Sequence, residues 1–203
     1  MNRGLPIAAL LIALLCTAPA QAATVDPLQL VRSTTTQVLE KIALQREVLK
    51  QDPGLVYETV NQLVLPRFDF DYMSRLVLGK YWLRASEAQR EEFIVEFREL
   101  LVRTYATTLL NYSDQSITYL PLRESDKATE VTVNTRISGG GAPAIPIDYS
   151  LYLSGGEWKV FDVAIDNVSL VSQYRRSYAN HIKRYQIDGL LERMRMLNTR
   201  NRE

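Results

Sequence analysis

The spacing of apolar residues changes between the two halves of this chain, and this change limits the possible folds more than any other feature. Before residue 112, apolar residues recur every three or four positions, as on one face of an amphipathic helix. Between residues 115 and 166 they alternate with polar residues, as in half-buried antiparallel strands. Helices followed by strands, without alternating strand and helix units, predict an α+β fold with an antiparallel sheet.

The same patterns predict one domain over residues 23–203, after a leader at residues 1–22. We expect a helical portion over residues 26–111 and an antiparallel sheet of about four strands over residues 115–166. C-terminal helices are expected over residues 169–198, from about Leu170 to Lys183 and from Asp188 to Leu197. One face of the sheet should then pack on the helices.

Helix boundaries are marked by capping residues. Asp26-Pro27 and Asp52-Pro53 each place a capping side chain before a proline at the first helical position, which predicts helices over residues 27–50 and 53–65. A third helix, residues 68–78, is predicted to end at Gly79 in a left-handed cap. Ser86 and Gln89 form a capping box that opens a long helix. That helix carries an apolar side chain at every fourth position, at Phe93, Phe97, Leu101, Tyr105 and Leu109.

Glycine and proline separate the predicted strands, which cover residues 117–122, 130–137, 147–153 and 157–165. Gly155-Gly156 predicts a tight hairpin between the last two strands. The run from Gly139 to Gly141, with Pro143 and Pro146 after it, predicts a looser connection. A phosphate-binding loop would need a helix start with Lys, Ser or Thr after the glycines, and this sequence has none.

The leader has the three parts of a secretory signal peptide: Arg3, an apolar run from Leu5 to Leu15, and Ala20-Gln21-Ala22. The apolar run is about half the ~20 residues that a membrane-spanning helix needs. We therefore expect an exported chain that is cleaved near Ala22. Cys16 leaves open a lipid-attached alternative, although Leu15 stands where a small residue is usual at such sites.

Few residues of the exported chain could support catalysis or metal binding. Cys16 is the only cysteine and lies in the leader, and His181 is the only histidine, so a structural zinc site is not expected. His181 lies in a basic stretch and is more simply a surface residue than a catalytic base. Asp69 and Asp71 would point about 200° apart on a helix, so they suit its first turn better than a shared reaction. We predict no catalytic residue, no metal and no cofactor.

The charges of the chain are nearly balanced, with 24 Lys and Arg against 23 Asp and Glu, and Arg3 belongs to the leader. This balance lacks the basic character of nucleic-acid-binding proteins, so no nucleic-acid partner is expected. The C-terminal segment is locally basic. Its Lys and Arg residues are Arg175, Arg176, Lys183, Arg184, Arg193, Arg195, Arg200 and Arg202.

Three blocks of sequence, which together cover nearly the whole exported chain, resemble the MlaC or toluene-tolerance family. The first block comprises Pro66-Arg67-Phe68-Asp69-Phe70, Met73-Ser74-Arg75, Val77-Leu78-Gly79, Trp82, Ala88-Gln89-Arg90, Phe93, Phe97-Arg98, Leu101 and Thr104-Tyr105. The second comprises residues 158–163, 167–170 and Tyr174-Arg175, and the third is residues 187–191. The chain departs from the family pattern at Asn167, where glycine is expected, and in its basic C-terminal tail.

This resemblance implies a periplasmic phospholipid carrier with a curved, nuclear-transport-factor-2-like sheet and helices around an apolar cavity. It implies exchange of phospholipid between an outer-membrane lipoprotein and porin complex and an inner-membrane ABC transporter complex, which maintains the lipid asymmetry of the outer membrane. Phospholipid would be cargo rather than cofactor, and we expect the carrier to be a monomer. Because acyl chains would dominate binding, we expect weak discrimination between headgroups.

The resemblance suggests which residues face the lipid, although a filled core would use the same side chains. The expected cavity residues are Leu76, Val77, Tyr81, Phe93, Phe97, Leu101, Tyr105, Tyr149, Leu151, Leu153, Trp158, Val160, Val163, Val168, Leu170 and Tyr174. Four cations are candidates for headgroup contact or docking, or else form a solvated helix face: Arg175, Arg176, Lys183 and Arg184.

Two alternatives remain. A relative could carry hopanoid or another apolar lipid, which only the bound ligand would reveal. Cone-shaped folds of this type also host isomerases and dehydratases, for which Asp148 and Asp162 would be the candidate carboxylates, paired with His181 or a tyrosine. A cavity lined by apolar side chains alone would argue against such an enzyme.

Overall fold

Five antiparallel strands follow one another across the sheet in chain order. The computed structural model describes residues 26–52, 54–106, 108, 115–122, 129–139 and 141–200, so the predicted signal peptide and Leu109 lie outside the described residues. The strands are β1 (Ser116–Tyr119), β2 (Glu130–Gly139), β3 (Ala142–Ser154), β4 (Glu157–Ile165) and β5 (Val168–Ser169). The helices are α1 (Pro27–Leu44), α2 (Arg46–Gln51), α3 (Gly54–Leu63), α4 (Phe70–Leu78), α5 (Glu87–Tyr105) and α6 (Leu170–Arg200). The predicted α+β fold with a curved antiparallel sheet is confirmed.

The fifth strand was not predicted, because β5 is only two residues long. A tight turn joins it to β4, and both turn residues have left-handed backbones, with φ of 50° at Asp166 and 64° at Asn167. Two positive φ angles are typical of the hairpin turns that match strand twist. The same geometry occurs at Gly155 and Gly156, where the hairpin was predicted.

The connection between β2 and β3 was predicted to be a loose loop, but in the structure it is short. Here the strands continue to Gly139 and restart at Ala142, and these two residues face each other in the register. Pro143 and Pro146 therefore lie within β3, with Pro146 opposite Arg136. Prolines are accommodated in a strand where the missing N–H is not needed by a neighbour. The Pro146 carbonyl still accepts a hydrogen bond from the Asp166 amide at 2.9 Å.

The first predicted helix is two helices. Gln45 leaves helical geometry, with φ of −109° and ψ of 12°, and it separates α1 from α2. The backbone remains hydrogen-bonded across this break, since the Gln45 amide donates to the Lys41 carbonyl at 3.1 Å. Apolar spacing could not reveal it, because Ile42 and Leu49 are both buried on either side of the break.

The capping box predicted at the start of α5 is present, since Ser86 and Gln89 hydrogen-bond reciprocally. At α4 the structure differs from the expectation that Asp69 lies in the first helical turn: Asp69 is the N-cap and accepts a hydrogen bond from the Tyr72 amide at 2.8 Å. Gly79 ends α4 with φ of 53°. A Cβ atom at Gly79 would lie 3.0 Å from Nη2 of Arg175, so both the backbone and the close approach of α6 favour glycine.

Helix α6 is bent sharply at Gln186, where φ is 62° and ψ is −176°. Residues 170–185 and 187–200 are two helical arms, close to the two C-terminal helices predicted from sequence. The His181 ring donates from Nε2 to the Gly189 carbonyl at 3.2 Å across the bend. Asp162 of β4 caps the first arm, because its carboxylate accepts from the Val171 amide at 3.0 Å and from the Ser169 hydroxyl.

The apolar core is built in separate clusters. The largest lies among α4, α5 and both arms of α6, where Phe93 and Phe97 are fully buried. A second cluster joins α1, α2, α3 and the end of α5. A third lies between the sheet and α1, with Val133 and Leu151 at its centre. This arrangement leaves space where α1, α3, the end of α5 and the sheet converge.

Candidate functional site

A cavity of about 350 Å³ occupies the space between the helices and the sheet. Its helical walls are formed by Leu30, Val31, Thr34, Thr35, Val38, Leu39, Val60, Val64, Leu65, Arg67, Phe68, Phe70, Met73, Leu101, Val102, Tyr105, Ala106, Thr108 and Leu170. Its sheet wall is formed by Ile117, Ile137, Ile147, Tyr149, Val160, Val163 and Ile165. This volume lies within the roughly 300–1,000 Å³ typical of small-molecule sites.

The sheet wall follows from strand alternation. Ile147 and Tyr149 are two residues apart on β3, so both point to the same face of the sheet. Their antiparallel partners on β4 are Ile165 and Val163, which also line the cavity. Burial raises the pKa of Tyr149 to about 12, with a smaller contribution from Tyr119. The Tyr149 phenol is therefore neutral at physiological pH and adds no charge to the wall.

The helical walls use residues spaced along one face. On α1, Val31, Thr35 and Val38 are three or four residues apart and lie on one side of the helix. The Thr35 hydroxyl donates to the Val31 carbonyl at 2.8 Å, so its polar group is already hydrogen-bonded within the helix. Leu101 and Tyr105 contribute in the same way from the last turns of α5. The walls therefore present mainly hydrocarbon.

Among the described residues, Arg67 is the one charged side chain that lines this cavity. It is exposed as well as cavity-lining, so the cavity meets the protein surface beside it. Arg67 belongs to a short 3₁₀ turn, Leu65–Arg67, and the turn is held to the sheet because Lys159 donates to the Pro66 carbonyl at 3.1 Å. The site thus combines an apolar interior with one cation at its edge.

The structure brings together some of the residues predicted to face a lipid. Six of them line the cavity: Leu101, Tyr105, Tyr149, Val160, Val163 and Leu170. Five lie instead in or against the core among α4, α5 and α6: Leu76, Val77, Tyr81, Phe93 and Phe97. Leu151, Trp158 and Tyr174 pack in the sheet-side cluster, Leu153 is half-buried at the end of β3, and Val168 is exposed. Lipid contact remains a prediction for every one of these residues.

The division along α5 has a simple cause. Its early turns pack against α6, where Phe97 makes an edge contact with Tyr174 at 5.2 Å between ring centroids. Only its last turns extend past α6 to the cavity, through Leu101, Val102, Tyr105 and Ala106. Sequence spacing identifies the apolar stripe of a helix but not which neighbour covers each part of it.

Sequence reasoning missed the contribution of α1 and Arg67. The apolar and threonine stripe of α1 carries a helical signal, but a stripe that covers a cavity has the same spacing as one that covers a core. Arg67 was noted only as part of a family block. An isolated arginine after a proline carries no spacing signal that distinguishes the edge of a cavity from any other surface.

The four predicted docking cations, Arg175, Arg176, Lys183 and Arg184, are exposed on the first arm of α6. Their side chains do not line the apolar cavity. Arg175 packs beside Gly79, and Arg184 lines a separate cleft between the arms of α6.

The carboxylates considered for an enzyme have structural hydrogen bonds. Asp162 caps α6, and Asp148 accepts from the Asn134 side-chain amide at 2.8 Å. Neither lines the apolar cavity. Within the described ranges no group of His, Cys, Asp and Glu is arranged to hold a metal ion. In the same part of the chain, no helix is both long and apolar enough to cross a membrane.

Comparisons with known proteins identify relatives of this chain. Residues 32–196 match a protein-family model described as MlaC protein. The chain is 29% identical over 159 residues to the toluene tolerance protein ttg2D of Pseudomonas putida, covering 78% of this chain and 74% of that protein. It is 29% identical over 187 residues to the intermembrane phospholipid transport system binding protein MlaC of Haemophilus influenzae, covering 91% and 87% of the two chains.

A solved structure also matches the fold. The phospholipid-binding protein of Ralstonia solanacearum, determined in complex with a phospholipid, superposes with a TM-score of 0.81 at 28% sequence identity. The match covers 88% of this chain and 99% of the Ralstonia chain.

Proposed function

The chain belongs to the MlaC family, and we propose that it carries phospholipid, with acyl chains held in the apolar cavity between α1, α3, α5 and the sheet. The observation that supports this most directly is the lining, in which Arg67 is the one charged side chain contributed by the residues that the structure describes. The Ralstonia protein of similar fold binds a phospholipid, and the Haemophilus relative is named as part of a phospholipid transport system. The proposal extends these properties to this chain.

The energetics favour such a cavity. Two acyl chains contain about 30 methylenes, and at ~0.8 kcal/mol each their removal from water is worth on the order of 20 kcal/mol. Free phospholipid in water is therefore very scarce. Transfer from a bilayer into the cavity exchanges one apolar environment for another, so its net free energy lies near zero. A carrier can then both load and unload, and neither step needs a catalytic group.

The phosphate of the lipid would lie beside Arg67. A guanidinium can form two parallel hydrogen bonds with a phosphate, and the exposed position of Arg67 leaves the rest of the headgroup in solvent. Within the described part of the chain, the cavity lining offers no second charged group to contact the headgroup. We therefore expect phosphatidylethanolamine and phosphatidylglycerol to bind with similar affinity.

The cellular role proposed here follows the family. The chain would be exported by its signal peptide and work in the periplasm as a monomer, moving phospholipid between an outer-membrane lipoprotein and porin complex and an inner-membrane ABC transporter complex. This traffic would maintain the lipid asymmetry of the outer membrane. The exposed cations Arg175, Arg176 and Lys183 would dock on acidic partner surfaces.

The docking role is tested by reversing those three charges to glutamate. Lipid transfer to membranes that contain the partner complexes should slow, while the amount of lipid bound per protein stays the same. An unchanged transfer rate would instead assign these cations to a solvated helix face.

The carrier role is tested by mass spectrometry of lipid extracted from full-length protein that is purified from the periplasm without added detergent. The expected result is a mixture of phosphatidylethanolamine and phosphatidylglycerol with mixed acyl chains. Recovery of a hopanoid would assign the cavity to another apolar lipid. Recovery of a single polar metabolite would contradict the proposal and favour an enzyme of the isomerase or dehydratase type.

A further inference from the structure

A second cleft, of about 570 Å³, lies between the end of α5 and the two arms of α6. Its lining residues are Leu100, Thr104, Tyr174, Ser177, Tyr178, Asn180, His181, Arg184, Tyr185, Leu190, Arg193 and Leu197. The lining shares no residue with the apolar cavity. The cleft is therefore a separate site with its own chemistry.

The bend of α6 creates this cleft. Tyr174, Tyr178, His181 and Arg184 are three or four residues apart and form one face of the first arm. The second arm turns back at Gln186 and places Arg193 opposite that face. The hydrogen bond between His181 and the Gly189 carbonyl fixes the two arms relative to each other.

The cleft contains cations without matching carboxylates. Arg184 and Arg193 both line it, and the described residues of its lining include no Asp or Glu. Other arginines in this region are neutralised, since Arg195 pairs with Glu92 at 3.0 Å and Arg103 pairs with Glu99. Neither Arg184 nor Arg193 forms an ion pair with any residue in the described ranges. Two positive charges that line the same cleft favour the binding of an anion between them.

The floor of the cleft offers both apolar and polar groups. Leu100, Leu190 and Leu197 provide an aliphatic surface beside the tyrosine rings. The Tyr178 hydroxyl is buried and has no hydrogen-bond partner within the described residues. Burial and the neighbouring Tyr174 raise the pKa of Tyr178, whereas the positive charge of Arg193 lowers it.

We propose that this cleft binds an organic phosphate, with Arg184 and Arg193 contacting the phosphate and the leucine and tyrosine floor contacting its organic part. The site goes beyond the proposed lipid carriage, because it lies outside the cavity that would hold acyl chains. Such a phosphate has two possible sources. It is either a small free organophosphate or, if the headgroup of the carried phospholipid does not lie beside Arg67 as proposed above, that exposed headgroup.

The test uses glycerol 3-phosphate as the probe, titrated calorimetrically at low ionic strength into the delipidated full-length protein. The double variant Arg184→Gln, Arg193→Gln should weaken binding by about tenfold or more, because the charge-assisted hydrogen bonds of both guanidinium groups to the phosphate are lost. Arg98→Gln, on an exposed part of α5 outside the cleft, is the matched control and should bind as the wild type does. Circular dichroism checks that each variant is folded.

Repeating the titration on protein loaded with phosphatidylglycerol identifies the source. Loss of glycerol 3-phosphate binding in the loaded protein would show that the lipid headgroup occupies the cleft. Equal affinity in both forms would show that the cleft takes a free organophosphate. The proposal is overturned if the wild type shows no saturable binding, or if Arg98→Gln weakens binding as much as the double variant does.

Discussion

The hydroxyl of Tyr152 donates a hydrogen bond to the carboxylate of Asp69, which joins β3 to the start of α4. The same carboxylate caps α4 through the Tyr72 amide at 2.8 Å, and the Asp69 amide donates to the Val160 carbonyl of β4 at 2.9 Å. One residue therefore attaches the helical layer to two strands. Because Phe68 and Phe70, on either side of it, line the apolar cavity, this junction also fixes one edge of the site.

Loss of the Asp69 side chain should destabilise the fold. Asp69→Ala removes an N-cap worth about 1 kcal/mol and a hydrogen bond to a charged group worth about 1.5–3 kcal/mol, so we expect a loss of about 2–4 kcal/mol. Tyr152→Phe removes only the second of these interactions and should lose about 1.5–3 kcal/mol. Asp71→Ala is the control, because its ion pair with Arg75 is exposed and should contribute less than about 1 kcal/mol. Urea denaturation measures the free energy of unfolding of all three variants. Equal losses for Asp69→Ala and Asp71→Ala would show that Asp69 does not stabilise the junction between α4 and the sheet.

The departure from the family pattern at Asn167 has a backbone explanation. Its φ is 64°, a left-handed conformation that glycine adopts freely and asparagine tolerates better than most other residues. Asn167→Gly should therefore change the free energy of unfolding by less than about 1 kcal/mol, whereas Asn167→Val should cost about 1–2 kcal/mol. Thermal unfolding of both variants measures the difference. Similar stability of the valine and glycine variants would show that this turn does not constrain φ.

Much of the fold could be predicted from the sequence because its signals are local. The capping box at Ser86 and the hairpin at Gly155-Gly156 each depend on a few adjacent residues, and both are present. The cavity depends on which elements pack together, and this is not local. Phe93 and Leu101 belong to one stripe on α5 and to the same core cluster, yet Leu101 also lines the cavity and Phe93 does not. The break at Gln45 was missed for a related reason, since the buried stripe continues across it.

Burial of Tyr149 should make the fold sensitive to alkali. Its pKa is raised from the usual value of ~10 to about 12, so the unfolded chain loses this proton at lower pH than the folded protein does. The free energy of unfolding should therefore fall between about pH 10 and 12, by about 1.4 kcal/mol per pH unit from this group. Tyr149→Phe should lessen that fall by about 2 kcal/mol. Denaturant titrations at pH 9 and 12 measure the fall in the free energy of unfolding for the wild type, for Tyr149→Phe and for the control Tyr185→Phe, which removes an exposed hydroxyl. An equal effect of the two variants would contradict the assignment of the alkaline sensitivity to Tyr149.

Arg67 should hold the lipid phosphate without selecting the headgroup. Arg67→Gln removes a charge-assisted contact worth about 1.5–3 kcal/mol, so bound phospholipid should leave for acceptor vesicles about tenfold faster. The ratio of phosphatidylethanolamine to phosphatidylglycerol should not change. Arg136→Gln, exposed on β2 and outside the cavity lining, serves as the control. Release at the wild-type rate from the Arg67 variant would place the headgroup elsewhere.

The central claim is that the cavity between α1, α3, α5 and the sheet holds the acyl chains, and filling that cavity tests it most directly. Ala106 lines the cavity at the end of α5, and Ala106→Trp would occupy the space with an indole ring. Val95→Trp places the same ring on the exposed side of α5, where the wild-type side chain is 51% exposed. The measurement is the molar ratio of phospholipid to protein by mass spectrometry, with folding checked by circular dichroism. We expect folded Ala106→Trp to retain little phospholipid and Val95→Trp to retain the wild-type amount, whereas a wild-type ratio in folded Ala106→Trp would contradict the account.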